Sequence, residues 1–238
     1  MPIVQTDIRD SVAIITMTNG ENRQDLAFAE AMLAAFDEVE AEKKVKAIVL
    51  TSDDEKNWSQ GVNLNWLMQK MQGGAHDEVR AFMYGMNKVF ARLLQCPVPV
   101  IGAITGHAFG NGAMLACCCD FRFMRADRGY LCFPEVDISI PFLPGMIAFC
   151  RKAIPEHRFN EMKLTGRRLT AEELVADHVV TAALTDAEAT LETAIDYAAT
   201  FKKSRAIFGE HKRRMHREII RIMETEDKPY IEALKLTV

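Results

Sequence analysis

Two residues decide what chemistry this chain can offer, Glu135 and Met114. Met114 ends the run Gly106-His107-Ala108-Phe109-Gly110-Asn111-Gly112-Ala113-Met114, which follows an apolar stretch and opens onto apolar residues. That order reads as a buried strand, a tight turn and the first turn of a helix. Glycines let the backbone approach a ligand closely, and a helix start offers unpaired N–H groups to a negative oxygen. Glu135 stands among Phe133, Pro134, Val136 and Ile138, a setting that raises a carboxyl pKa toward values useful to a general base. Methionine neither takes nor gives a proton, so a site built from both segments holds one carboxylate at these two positions. Asp137 follows two residues later; in an extended piece it would share a face with Glu135, or it serves a structural ion pair.

The elements that must position these residues alternate. Residues 12–18 read as a strand, 27–42 as an amphipathic helix begun near Asp25, and 46–51 as a buried strand. A polar loop over 52–57 leads to helices over 62–71 and 77–95. A strand over 98–104 precedes the helix opened by Gly110-Asn111-Gly112, and 120–125 returns as a strand. Pro134, Pro141 and Pro144 make 133–145 a structured loop with short extended pieces. From residue 146 the pattern is mostly helical, with a last strand over 179–184. The fold class is α/β, finishing in helices.

At 238 residues and 49% hydrophobic content, one sizeable domain with an appendage is expected. No stretch of about 18 apolar residues lacks a charge, and the first residues show no basic region followed by an apolar one. A cytoplasmic protein without a membrane partner is the expectation. The net charge of −4 argues against nucleic acid as a partner. Eight basic residues between Lys202 and Arg221 form either a solvated helix face or a contact for an anionic ligand. Six cysteines include Cys117-Cys118-Cys119, which lack the two-residue gaps of zinc sites and read as small buried hydrophobes. No metal is expected. The third glycine of a dinucleotide fingerprint is replaced by Leu115, and no phosphate-loop lysine, HExxH pair or GxSxG elbow occurs.

Three segments in order, Asn57-Trp58-Ser59-Gln60-Gly61-Val62-Asn63-Leu64, residues 106–114 and residues 133–145, resemble the crotonase superfamily, the enoyl-CoA hydratase and isomerase family. The resemblance runs over nearly the whole chain. It implies a crotonase-like spiral of ββα units over 1–200, and a helical region over 201–238 that contacts CoA and packs subunits into a homotrimer or a dimer of trimers. The substrate it implies is an acyl-CoA thioester, so coenzyme A arrives as part of the substrate and no separate cofactor is expected.

Residue by residue, the resemblance puts the thioester oxygen between the backbone N–H groups of Gln60 and Asn111. Ser59, Gly61, Val62, Asn63, Leu64, Gly110, Met114 and Phe142 fall at substrate-binding positions, and Lys212 falls where relatives place a lysine near the CoA phosphates. Hydratases of the family hold water between two glutamates, one at Met114 and one at Glu135; only the second is present here. A single base suffices to shift a double bond from the 3 to the 2 position of an enoyl-CoA. Isomerases of the plant peroxisomal type are similar in Arg125-Ala126-Asp127-Arg128-Gly129-Tyr130-Leu131 and Pro134-Glu135-Val136-Asp137-Ile138. The expected activity is therefore enoyl-CoA delta isomerase with Glu135 as the catalytic base. A hydratase with relocated groups, a thioesterase, a decarboxylase and a non-catalytic acyl-CoA binder are the alternatives. His107 is expected as a buried, hydrogen-bonded histidine, Asp120 as a cap or ion-pair partner. Leu64, Trp66, Leu67, Phe82, Met86, Phe142 and Leu143 line an acyl tunnel or belong to the core.

Overall fold

A computed structural model describes residues 2–235. Strand β1 (Val4–Arg9) turns back on β2 (Val12–Met17), a short β3 (Arg23–Gln24) follows, and helix α1 (Leu26–Ala41) leads to β4 (Ala47–Ser52). Two short strands, β5 (Asn57–Ser59) and β6 (Gly61–Val62), precede helices α2 (Leu64–Gln72) and α3 (His76–Gln95). Next come β7 (Val100–Ile104), β8 (His107–Phe109), α4 (Asn111–Cys118), β9 (Phe121–Arg125), β10 (Leu131–Cys132) and a 3-10 turn, Pro134–Ile138. The rest is α5 (Pro144–Ala153), α6 (Glu156–Thr165), α7 (Ala171–Ala176), β11 (Ala182–Leu184), α8 (Ala187–Ala199), α9 (Arg205–Met215), α10 (Arg217–Thr225) and α11 (Lys228–Glu232).

The main sheet has the order β1-β2-β4-β7-β9-β11, antiparallel only at β1-β2. Its parallel strands are covered on both faces, which is why all six residues of β4 are buried and why they read as an unbroken apolar run. The two-residue period of a strand divides the core in two. Ile15, Ile48, Leu50, Val100 and Ile104 face the larger core with Phe28 and Phe36 of α1 and Phe90 of α3, whereas Ile14, Val49, Ile101 and Ala103 face Ala194 and Ile195 of α8. Each such large side chain contributes about 1.5–3 kcal/mol on burial. Asp25 starts α1 by accepting from the Phe28 N–H at 3.1 Å.

Two small parallel sheets stand apart from the main one: β10-β8-β5, and the two-residue pair β3-β6 that aligns Gln24 with Val62. Because Val62 is held in that pair, α2 starts at Leu64 instead of residue 62, with the Asn63 side chain accepting from the Trp66 N–H at 3.2 Å. Residues 133–145 also differ from the expected extended pieces. Pro134 and Pro144 each occupy a first helical turn, where a missing N–H costs nothing, so the segment becomes the 3-10 turn and the start of α5. Residues two apart in a 3-10 turn do not share a face; Glu135 is buried, while Asp137 is exposed and joins no ion pair among the described residues. The helices after residue 201 lie on the spiral itself, α9 and α11 against α3 and α10 against α5. No helix among the described residues is long and apolar enough to cross a membrane.

Candidate active site

The first two motif segments meet backbone to backbone. Gly61 has a φ of +75°, and a Cβ there would lie 2.6 Å from the Phe109 carbonyl oxygen and 2.9 Å from the Asn111 nitrogen. Gly112 answers from the other side, where an added Cβ would collide with the Ser59 carbonyl oxygen. Only glycine permits this approach. Helix α4 then starts at Asn111, whose N–H has no partner among the described residues, as expected of a first-turn amide.

The third segment closes over this junction. The Glu135 Oε1 lies 2.9 Å from where a Cβ on Gly110 would stand, so Gly110, at φ +54°, makes room for the carboxylate. Glu135 is 6% exposed, and its Oε2 has no hydrogen-bond partner among the described residues. Burial pushes its pKa up to about 7, only partly offset by its own backbone N–H and the Lys163 ammonium. The carboxylate faces a cavity of about 260 Å³.

Of the residues singled out by sequence, Gln60, Val62, Leu64, Gly110, Asn111, Met114, Glu135 and Phe142 border that cavity. So do Leu67, Phe82, Met86 and Leu143 of the expected tunnel, while Trp66 stands behind, edge-on to Phe82 at 5.4 Å. Ser59, Gly61 and Asn63 do not border it: Ser59 is wholly buried beneath, Gly61 sets the close approach, and Asn63 caps α2.

Two expected roles are overturned. The Gln60 backbone N–H donates to the Glu21 carbonyl oxygen at 3.0 Å, which withdraws it from an anion-binding role. Lys212 is 3% exposed and spends its ammonium on Asp120 Oδ2 at 2.6 Å and the Leu93 carbonyl at 2.8 Å, inside the fold and off the cavity. Asp120 is thus an ion-pair partner, and it also accepts from the Val100 N–H at 2.8 Å. Three of the surrounding basic residues are matched at the surface, Arg213 and Arg214 on Glu210 and Arg221 on Glu218 and Glu226.

His107 is half-buried instead of hydrogen-bonded in the core. Its ring stacks on Tyr130 at 5.6 Å, its Nδ1 has no partner among the described residues, and burial lowers its pKa, with Lys56, Arg168 and Arg128 adding to the effect. All six cysteines are free and buried. Among the described residues no group of three His, Cys, Asp or Glu could hold a metal ion.

Sequence reasoning missed Arg23 and Lys235, cations bordering the cavity, and Gln24, whose amide reaches Asn111. It also missed what holds the far end of α4. There the Lys152 ammonium donates to the carbonyl oxygens of Cys117 at 3.1 Å and Cys119 at 3.0 Å, and Arg122 Nη1 donates to those of Ala116 at 3.3 Å and Cys119 at 2.7 Å. Lys152 keeps this place although burial lowers its pKa.

Glu135 also affects stability. With a native pKa of about 7 above an ordinary 4.5, the folded state holds its proton more tightly than the unfolded state. The contribution is therefore fully favourable below the unfolded pKa and is lost as pH rises through the folded one. At about 1.4 kcal/mol per unit, roughly 3.5 kcal/mol is the upper bound. Glu135→Gln is expected to raise the melting temperature above pH ~8 and to leave it unchanged near the unfolded pKa. Equal melting temperatures at the alkaline end would refute the buried, unpartnered carboxylate.

The comparisons with known proteins agree with this geometry. The chain is 28% identical over 225 residues to enoyl-CoA delta isomerase 3 of Arabidopsis thaliana, covering 91% of this chain and 93% of that protein. Enoyl-CoA delta isomerase 2, peroxisomal, from the same plant is 27% identical, with 93% and 95% covered. A putative enoyl-CoA hydratase of Thermus thermophilus is 31% identical over 69% of this chain and 64% of its own length. Among solved structures, a Mycobacterium tuberculosis protein described in one structure as an enoyl-CoA isomerase and in another as a probable enoyl-CoA hydratase superposes with a TM-score of 0.84 at 23% identity, 98% of each chain being covered in the first, and so shares the fold. The family model described as enoyl-CoA hydratase/isomerase matches residues 7–233, and the chain belongs to that family, with its crotonase fold.

Proposed function

We propose that this protein is an isomerase that moves the double bond of a 3-enoyl-CoA to the 2-trans position with Glu135 as its one base. The observation that carries this reading is the pairing of an unpartnered, buried Glu135 with Met114, both on one apolar cavity. The thioester oxygen accepts from the Asn111 N–H. Val62 replaces Gln60 as the second donor: N–H groups alternate sides along a strand, and that of Asn63 donates to the Gln24 carbonyl at 2.8 Å, which turns the Val62 N–H toward the cavity that Val62 borders.

With the carbonyl held, Glu135 takes a proton from C2, the negative charge spreads over a dienolate whose oxygen stays against the two N–H groups, and the protonated carboxyl returns the proton at C4. A carboxyl with a pKa near 7 suits both halves of this exchange. Hydration needs a second group to hold and activate water, and Met114 supplies none. Lys235 at the cavity border supplies positive charge for the phosphates of CoA in the role expected of Lys212, beside an Arg23 that is already paired with Glu21 at 2.8 Å.

Purified protein is offered a 3-enoyl-CoA and, separately, a 2-enoyl-CoA, with product identification. The expected result is formation of the 2-trans isomer and negligible 3-hydroxyacyl-CoA from the second substrate. Hydration as fast as isomerisation would sink the one-base reading, and release of free CoA or CO₂ would move the protein to another reaction on the same fold. A trimer or pair of trimers and a cytoplasmic location are part of the proposal. Sedimentation and imaging of a tagged chain test them, the second against the peroxisomal location in the name of one plant relative.

A further inference from the structure

We propose that Gln24 is a positioning residue for the oxyanion hole, holding Asn111 at a fixed distance from the turn that carries Gly61 and Val62. This rests on the reading that the Asn111 N–H meets the thioester oxygen. Gln24 and Ser59 are wholly buried and Asn111 is 5% exposed, so their polar groups must satisfy one another.

They do so in a single direction. The Asn22 carbonyl can only accept, and it takes the Ser59 hydroxyl at 2.7 Å. Ser59 Oγ is then left to accept, from the Gln24 Nε2 at 3.2 Å and from the Gly61 N–H at 3.2 Å. This turns the Gln24 Oε1 toward Asn111, whose Nδ2 donates to it at 2.9 Å. Because the chain of bonds ends on a main-chain carbonyl, no amide in it can flip without leaving a buried group unpaired.

The same chain spans the hole. One branch ends at the first residue of α4 and another at the N–H of Gly61; Gln24, on the strand β3 that pairs with Val62, bonds Asn111 directly and Gly61 through Ser59. The contacts of Gly61 and Gly112 are repulsive and set how near the two segments can come; the amide chain is attractive and sets how far apart they can drift. Two donors that converge on one oxygen need both limits. A misplacement of about 1 Å costs on the order of 10²-fold in rate. Asn111 supplies the side chain that the clamp grips, so the same residue is held through its amide and donates through its backbone.

The test compares wild type with Gln24→Met, which keeps length and removes both hydrogen-bonding atoms. Turnover is expected to fall about 10–100-fold with KM changed less than ~3-fold. In an Asn111→Gly background, where nothing remains to grip, adding Gln24→Met is expected to cost less than ~3-fold more. A bound conjugated 2,4-dienoyl-CoA reports the hole directly, since polarisation of its thioester moves its absorbance to longer wavelength. Wild type and Glu135→Gln are expected to show the full shift and Gln24→Met a smaller one. Full shift and turnover in Gln24→Met, or an equal loss in both backgrounds, would overturn the positioning role. Absence of any shift in wild type would instead defeat the reading of the hole. If Gln24→Met does not fold, Ser59→Ala breaks the next link by removing one atom and is judged by the same absorbance and turnover criteria.

Discussion

Glutamine in place of Glu135 is expected to cut isomerase turnover by ~10²–10⁴-fold while leaving acyl-CoA affinity nearly unchanged. The substitution keeps the shape that Gly110 accommodates and removes only the capacity to take a proton. Met114 borders the same cavity, and among the described residues no second carboxylate lines it to substitute. The wild-type pH profile should follow the same group. With the base titrating at about 7, kcat/KM is expected to fall about tenfold per pH unit on the acid side and to level off on the alkaline side. Turnover close to wild type in Glu135→Gln, or a profile flat through neutrality, would move the chemistry to another residue.

Alanine at Gly61 is the second large effect. Its Cβ would enter between the Phe109 carbonyl and the Asn111 nitrogen, at 2.6 and 2.9 Å, on a backbone whose φ of +75° already disfavours a side chain. Both clashing atoms are main chain, so relief requires the two hole-bearing segments to part. Loss of one well-placed donor costs on the order of 10²–10³ in rate, and strain of this kind costs about 1–3 kcal/mol of stability. Gly20→Ala is the matched control: its φ is also positive, +57°, but nothing lies within 4 Å of the added atom. The expected outcome is a slight loss of stability with full turnover for Gly20→Ala and loss of both for Gly61→Ala. Similar turnover in the two variants would show that close approach of these segments is not needed for catalysis.

What the sequence made legible was what lies close together along the chain. The alternation of apolar strands and amphipathic helices placed β2, α1, β4, α3, β7 and α4 to within a few residues, and Glu135 was marked by its own apolar neighbours. Strand β1 was not seen because its alternation of half-buried and exposed residues rests on only two apolar side chains, Val4 and Ile8. Gln24 lies far from Asn111 in sequence and meets it only because a two-residue strand pairs with another of the same length, too short to leave a periodicity. The choice between Gln60 and Val62 had no side-chain signal at all, since a backbone donor is the same atom in every residue. Lys212 was misplaced for a related reason: a lysine in a basic stretch looks solvated until Asp120 arrives beside it from the end of α4.

The two cations at the C-terminal end of α4 give this short helix an electrical asymmetry. A helix carries roughly half a positive charge at its first turn and half a negative charge at its last, and in eight residues the two are only about 12 Å apart. Lys152 and Arg122 sit on the carbonyls of the last turn, close enough to cancel that pole and too far to mask the other. In the proposed reading, what faces the thioester is therefore nearly a single pole, carried by a helix whose eight residues are all buried. Part of the field that the proposed mechanism brings to bear on the enolate oxygen is thus maintained from the opposite end of the helix, by Lys152 and Arg122.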